Sequence, residues 1–350
     1  MTLPFVSLAP QNVALLPELA AAFVRVAQSG RYLFGAELAA FESECAAAIG
    51  VRHVVGLASG TDACEVALRA RFPRGSRVST PAFGAVPTIN AIVAAGVEPV
   101  LVDVDAVTRG VSVETLARVQ VDGHIVVHMF GQPCFVPVGA IEDCAHAQGA
   151  SVGGAQAGTL GLAGAFSAFP TKCLGTMGDG GWIATDDDAL AEKARRIRHY
   201  GFTEDRSDVQ GDGINSRMSE LQAAILRAKL PHLEAWNARR RAIAARYSAE
   251  LRGRVTVPAE PDGTRGSFHV YVIEYAERDR LATALAARGV GVMTHYAKAL
   301  HEYERWAHLG EHDAFPVSER LARTVLSLPC YPELREDEQD AVIAAVKEAT

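Results

Sequence analysis

Two hydrophobic periods divide this chain. Between residues 10 and 48, apolar positions recur every three or four residues. PELAAAFVRVAQSG and GAELAAFESECAAAIG each carry an apolar stripe, and each stops at a glycine, Gly30 and Gly50. That spacing predicts amphipathic helices. Short apolar runs then take over. HVVGLASG, SRVSTPAF, EPVLVDVD and HIVVHMF read as buried strands, with TDACEVALRARF and VPTINAIVAAGV as helices among them. AIEDCAHAQG is a strand entering a turn, and GAFSAFPT and GGWIATDD read as a further strand pair. Strands alternating with helices predict an α/β layered domain around a mostly parallel sheet.

The pattern changes near residue 205. MSELQAAILRAKLPHLEAWNARRRAIAARYSAEL favours helix throughout, with Pro231 marking a kink or break. A helix of that length links a large domain to a small one. Beyond it lie a strand, FHVYVIEY, a helix stopped by Gly289, RDRLATALAARGV, and a terminal helix, EDEQDAVIAAVKEA. The expected organisation is a large domain over 1–235 and a smaller α+β domain over 236–350.

Composition removes several functional classes. Hydrophobic residues make up 49% of the 350 positions and the net charge is −7. This is a foldable, acidic chain, without the basic excess of a nucleic-acid or membrane-surface binder. No apolar stretch approaches the roughly 20 residues of a membrane-spanning helix. MTLPFVSLAPQ lacks the basic start of a signal peptide, so a cytoplasmic location is expected. The six cysteines are scattered without a CxxC pair and read as reduced thiols in the core. GLASGTDA has the wrong glycine spacing for a dinucleotide fingerprint, and no phosphate-loop lysine motif is present.

One count narrows the chemistry. Of the 34 basic side chains only five are lysines: Lys172, Lys193, Lys229, Lys298 and Lys347. Lys193, Lys229 and Lys347 read as ordinary lysines on polar helix faces, and Lys298 lies near His295 and Tyr296. Lys172 stands apart in FSAFPTKCLGTMGDGG, between an apolar strand and a glycine-rich stretch. An amine held there suits a Schiff base with an aldehyde cofactor. Asp143, in IEDCAHA, falls at a strand's C-terminal end, where ligands of open α/β sheets bind. A carboxylate in that place can keep a pyridine nitrogen protonated, as pyridoxal 5'-phosphate requires; the competing account is a turn or helix cap. Gly60 and Thr61, between a strand and a helix, offer backbone N–H groups to a phosphate, although such pairs also cap helices that bind nothing. Ser167, five residues before Lys172, can add a hydroxyl.

In this order and spacing the residues resemble the pyridoxal-phosphate-dependent sugar aminotransferases of the DegT/DnrJ/StrS type. The resemblance covers nearly the whole chain. It runs through SGRYLFGAELAAFE, VGLASGTDA, PAFGAVPTINAIVAAGVEPVLVDVD, VHMFGQP, IEDCAHAQGA, GAFSAFPTKCLGTMGDGGWIATDD, GINSRMSELQAAIL, HYAKALHEYERW and LSLPCYPEL. It implies the fold-type-I transferase architecture, with the cofactor in the larger domain. Lys172 then forms the Schiff base and carries the proton, Asp143 pairs with the pyridine nitrogen, and His146 lies near the cofactor's phenolic oxygen. Gly60, Thr61 and Ser167 hold the phosphate. Asn215 reaches it from the neighbouring subunit of a homodimer with shared active sites, and Arg217 belongs to the same motif. His295 and Tyr296 fall in a block near a sugar-nucleotide substrate. The implied reaction moves an amino group from an amino acid, L-glutamate by expectation, to a nucleotide-linked 3- or 4-keto sugar.

Two departures stand out. Ala85 occupies a position where the family has an aromatic that stacks on the pyridine ring, and CFVPVGA replaces a longer helical crossover. A parallel crossover usually needs about a dozen residues. Other readings stay open at this point. One is a cyclitol-ketone aminotransferase, and another is a non-catalytic scaffold or sensor. A sugar dehydratase of the same fold would carry histidine where Lys172 stands.

Overall fold

The strand-forming runs converge on one sheet. In the computed structural model, which describes residues 3–203 and 205–350, the first five strands are β1 (His53–Leu57), β2 (Arg77–Pro81), β3 (Glu98–Val102), β4 (Gly123–Val127) and β5 (Ile141–Asp143). Two short strands follow, β6 (Ser151–Val152) and β7 (Ala155–Gln156), then β8 (Ala163–Ser167) and β9 (Gly181–Thr185). The main sheet has the order β1-β9-β8-β5-β4-β2-β3. Only β9 runs against the others, pairing antiparallel with both β1 and β8. The C-terminal ends of β1, β2, β4, β5 and β8 therefore share one edge, where the α/β rule places ligands.

Helices cover both faces, so strand residues are buried on both sides. In β1, Val55 packs into one core and its neighbour Val54 into another; in β9, Ile183 and Trp182 divide the same way. This is why the strands read as continuous apolar runs. The early helices are α1 (Ala9–Ala14), α2 (Leu16–Ser29), α3 (Ala36–Ile49), α4 (Gly60–Arg71), α5 (Val86–Ala94), α6 (Val113–Leu116) and α7 (Asp188–Ile197). Gly30 and Gly50 end α2 and α3 in the left-handed region, at φ 62° and 88°, as a C-terminal glycine does.

The crossover from β4 to β5 spans residues 128–140 with no α-helix. A 3₁₀ turn, Met129–Gly131, starts it, and Cys134, Val136 and Ala140 then pack on Val126 of the sheet. Gly131 has φ 89°, and a Cβ there would stand 2.7 Å from the His146 carbonyl oxygen. Extended chain thus does the covering that the resemblance assigned to a helix, and β5 stays in parallel register with β4.

The long helical run is broken at the expected proline. It forms α8 (Glu220–Lys229), a 3₁₀ turn carrying Pro231, and α9 (Leu233–Leu251). Lys229 corrects an expectation: it is only 2% exposed, not on a polar face, and Glu333, from the segment before the terminal helix, is the opposite charge that acts on its amine. The remaining elements are β10 (Thr264–Arg265), β11 (Tyr271–Glu274), α10 (Arg278–Ala287), α11 (Pro316–Thr324), β12 (Val325–Leu328) and α12 (Glu336–Ala349). β11 and β12 form an antiparallel pair, and β10 joins β6 and β7. A separate core gathers residues from α9, α10, α12 and this pair, with Leu3 and Val6 packed against it. Among the described residues no helix is long and apolar enough to cross a membrane.

Candidate active site

The site begins where β1 turns into α4. Ser59 caps the helix, its Oγ accepting from the Asp62 N–H at 3.1 Å. Helix α4 then opens with Gly60 and Thr61, whose N–H groups have no partner within the helix. Glycine is required at 60 because a Cβ would lie 2.5 Å from that of Ser167. The end of β8 can thus close on the start of α4, and the N–H groups and the Ser167 hydroxyl form one cradle of hydrogen-bond donors that suits a phosphate.

Asp143 ends β5 and is only 6% exposed. Its Oδ2 accepts from Thr88 Oγ1 at 2.6 Å and its Oδ1 from the Ala145 N–H at 3.0 Å. The carboxylate is thus fixed in position by groups from α5 and from the turn after β5. Its neighbour Glu142 faces the opposite way. That carboxylate accepts from His128 Nε2 (2.8 Å) and from the N–H groups of Gly158 (2.8 Å), Leu160 (2.8 Å) and Gly161 (2.7 Å). His128 Nδ1 accepts from the Cys134 N–H at 3.1 Å, which leaves its Nε2 as the donor. Cys144 lies beside this pair. Imidazole and carboxylate are committed to each other and to backbone, so the cluster clamps β5 to the 158–161 loop.

Lys172 lines two cavities. The first, of about 370 Å³, contains Gly60, Thr61, Asp143, Ser167 and Lys172. Ala85 lies on its wall. Phe83 does not take over the role of a stacking ring, because it is fully buried, edge-on to Phe130. The second cavity, of about 280 Å³, is lined by Lys172, His146, His295, Tyr296, His269 and Arg240. His146 and Tyr296 border both cavities. Burial pushes the Lys172 ammonium down to about 8, against the opposing pull of Asp143. An amine with that value is available in neutral form near physiological pH.

The imidazoles around it are neutral. Burial, helped by the nearby Lys172 charge, holds His146 and His269 well below the usual histidine range and lowers His295 to about 4. The His146 and His269 rings lie 4.6 Å apart, and His146 Nδ1 accepts from the Phe130 N–H at 3.3 Å. His295 Nδ1 pairs with Ser327 Oγ at 2.8 Å. Burial also raises the Tyr296 hydroxyl.

The fold therefore gathers Gly60, Thr61, Asp143, His146, Ser167, Lys172, His295 and Tyr296 around two adjoining cavities. It does not bring Asn215 or Arg217 there. Asn215 is exposed, and the Arg217 guanidinium lies over the Tyr200 ring at 5.5 Å. Lys298, the rival amine, is exposed over Tyr303. Sequence reasoning missed Thr88, Arg240 and His269. Arg240 had a readable signal. The buried face of α9 runs through Asn237, Arg240, Ala244, Tyr247 and Leu251, an arginine on an otherwise helix-core spacing.

The DegT/DnrJ/EryC1/StrS aminotransferase family model matches residues 15–347. The chain is 38% identical to the UDP-N-acetyl-3-dehydro-alpha-D-glucosamine 3-aminotransferase of Acidithiobacillus ferrooxidans, over 98% of this chain and 96% of that one. It is also 38% identical to the dTDP-3-amino-3,4,6-trideoxy-alpha-D-glucose transaminase of Micromonospora megalomicea, over 93% and 92%. Among solved structures, DesV of S. venezuelae, in complex with a ketimine intermediate, superposes with a TM-score of 0.96. It is 35% identical and covers 99% of this chain and 98% of its own.

Proposed function

The chain belongs to the DegT/DnrJ/EryC1/StrS aminotransferase family, and from that premise we propose that it transfers an amino group from L-glutamate to a nucleotide-linked 3-keto sugar, with pyridoxal 5'-phosphate as cofactor. The observation that carries this reading is the position of Lys172, whose side chain borders both the Asp143 cavity and the His295–Tyr296 cavity. The choice of C3 rests on the two relatives described above, whose names both place the amine there.

The residues present fit the cofactor. The cradle made by Gly60, Thr61 and Ser167 suits its phosphate, and Asp143, held by Thr88, presents a carboxylate to a pyridine N–H. Once bound, the cofactor supplies an electron sink for the carbanion formed when the C–H bond beside the amine breaks. The rest falls to this chain. Lys172, whose value of about 8 leaves part of the amine neutral near physiological pH, takes a proton at its Nζ on one side of the site and returns it on the other. His146, His295 and Tyr296 wall the reacting centre with groups that carry no charge at neutral pH.

Asn215 and Arg217 act on the site of a second copy, in a homodimer with shared active sites. Their place outside both cavities of their own chain supports this. The six buried free thiols suit a reducing cytoplasm. The test is a panel of UDP- and dTDP-linked keto sugars offered with glutamate, with products read by mass and by NMR for the carbon bearing nitrogen. Amination at C3 is expected. Turnover of a cyclitol ketone, with no nucleotide sugar accepted, would overturn the reading.

A further inference from the structure

Among the described residues, three arginines are less than a tenth exposed: Arg109 (3%), Arg198 (7%) and Arg240 (4%). Two of them have a carboxylate partner. Arg109 pairs with Glu274 at 3.0 Å and Arg198 with Glu42 at 2.6 Å. Arg240 has none. Its Nη1 donates to the Cys330 carbonyl at 2.6 Å, while its buried Nε has no partner. A buried guanidinium without a counter-charge is costly to a fold, and this one stands on a helix face otherwise used for packing. It also lines the cavity beyond Lys172, whose walls carry no carboxylate and whose three histidines are held neutral. The cavity is therefore built for a small anion held beside the Lys172 amine.

We propose that Arg240 anchors a carboxylate of the amino donor, which makes it the residue that selects an anionic amino acid over a plain amine. The assignment rests on the aminotransferase reading and deepens it. Planar guanidinium and carboxylate match in a two-pronged hydrogen-bonded pair, and among the described residues the Nη1 bond to the Cys330 carbonyl is the one hydrogen bond this guanidinium makes. The anion of the other substrate, the diphosphate of the nucleotide sugar, is the competing occupant. The two half-reactions separate them.

The experiment uses the holoenzyme with the Arg240→Gln and Arg240→Lys variants. Glutarate, a dicarboxylate with no amine to react, is titrated by calorimetry, and each half-reaction is followed separately by stopped-flow absorbance. Arg240→Gln is expected to weaken glutarate binding and raise the glutamate KM by about a hundredfold, the loss typical of removing one side of a buried charge pair. The KM for the keto sugar stays unchanged, and Arg240→Lys falls between. A folded Arg240→Gln that binds glutarate like the wild type overturns the proposal, as does a loss confined to the sugar half-reaction. If the glutamine variant does not fold, unchanged glutarate binding in Arg240→Lys overturns it equally. A purely structural Arg240 would alter stability and leave the ratio of the two KM values intact. If wild-type enzyme aminates no keto sugar, the proposed function fails, while glutarate binding still tests the anion site.

Discussion

Glu142 and Arg240 are both buried charges, and they are treated in opposite ways. Glu142 sits in a closed network with four donors on its two oxygens. Arg240 sits in an open one, with a single carbonyl contact and no carboxylate partner, on a side chain that lines a cavity. Closed networks hold a fold in one arrangement; open ones are completed by something that arrives. Asp143, one residue from Glu142, is intermediate: Thr88 and a backbone N–H fix it, and it still faces the cavity. The site is thus a set of groups left incomplete on a frame whose own charges are satisfied.

The largest effect is expected on the open side. Lys172→Ala removes the amine shared by both cavities, and turnover should fall by at least about a thousandfold, the scale of losing a positioned acid–base group. The fold should survive, so circular dichroism should match the wild type. On the closed side the order reverses. Glu142→Ala leaves three backbone N–H groups and one imidazole N–H unpaired, which should cost about 3–5 kcal/mol in urea unfolding. Whatever protein remains folded should keep its donor KM. A loss below about 1 kcal/mol would break the distinction between the two networks.

Smaller effects sharpen it. Thr88→Val removes the hydroxyl that steadies Asp143 and should lower cofactor affinity about tenfold, measured by fluorescence titration, the scale of one hydrogen bond to a charged group. The Lys172 amine gives a pH dependence. Its value is lowered to about 8, so the protonated form dominates below that and the neutral form above. The rate at which apoenzyme takes up the aldehyde cofactor should rise with pH and level off above about 8. A profile still climbing towards the ordinary lysine range would show that the amine is not desolvated. The same shift disfavours folding at low pH. The unfolded chain binds the extra proton between about 8 and the usual lysine value, so this contribution to stability improves as pH rises through that window.

Much of this architecture was legible in the sequence, because strands buried on both faces and helices stopped by Gly30 and Gly50 leave periodic traces. Lys172 was legible for a different reason: with so few lysines, its place between an apolar strand and a glycine-rich turn was conspicuous. Lys229 was misread since its burial is a tertiary fact, set by what packs around the end of α8 and not by the local pattern. Thr88 and His269 carry no local pattern, and only the convergence of α5 and the segment before β11 on the site reveals them. Arg240 falls at helix-core spacing in α9, and burial then singles it out from the neighbouring arginines.

The central claim is that one lysine of five carries the chemistry. It is tested most directly by incubating the protein with pyridoxal 5'-phosphate, reducing with borohydride and mapping the modified peptide by mass spectrometry. A single adduct on Lys172, lost when glutamate is added before reduction, is the predicted result. An adduct on Lys298 or spread over several lysines, or none at all, would contradict it.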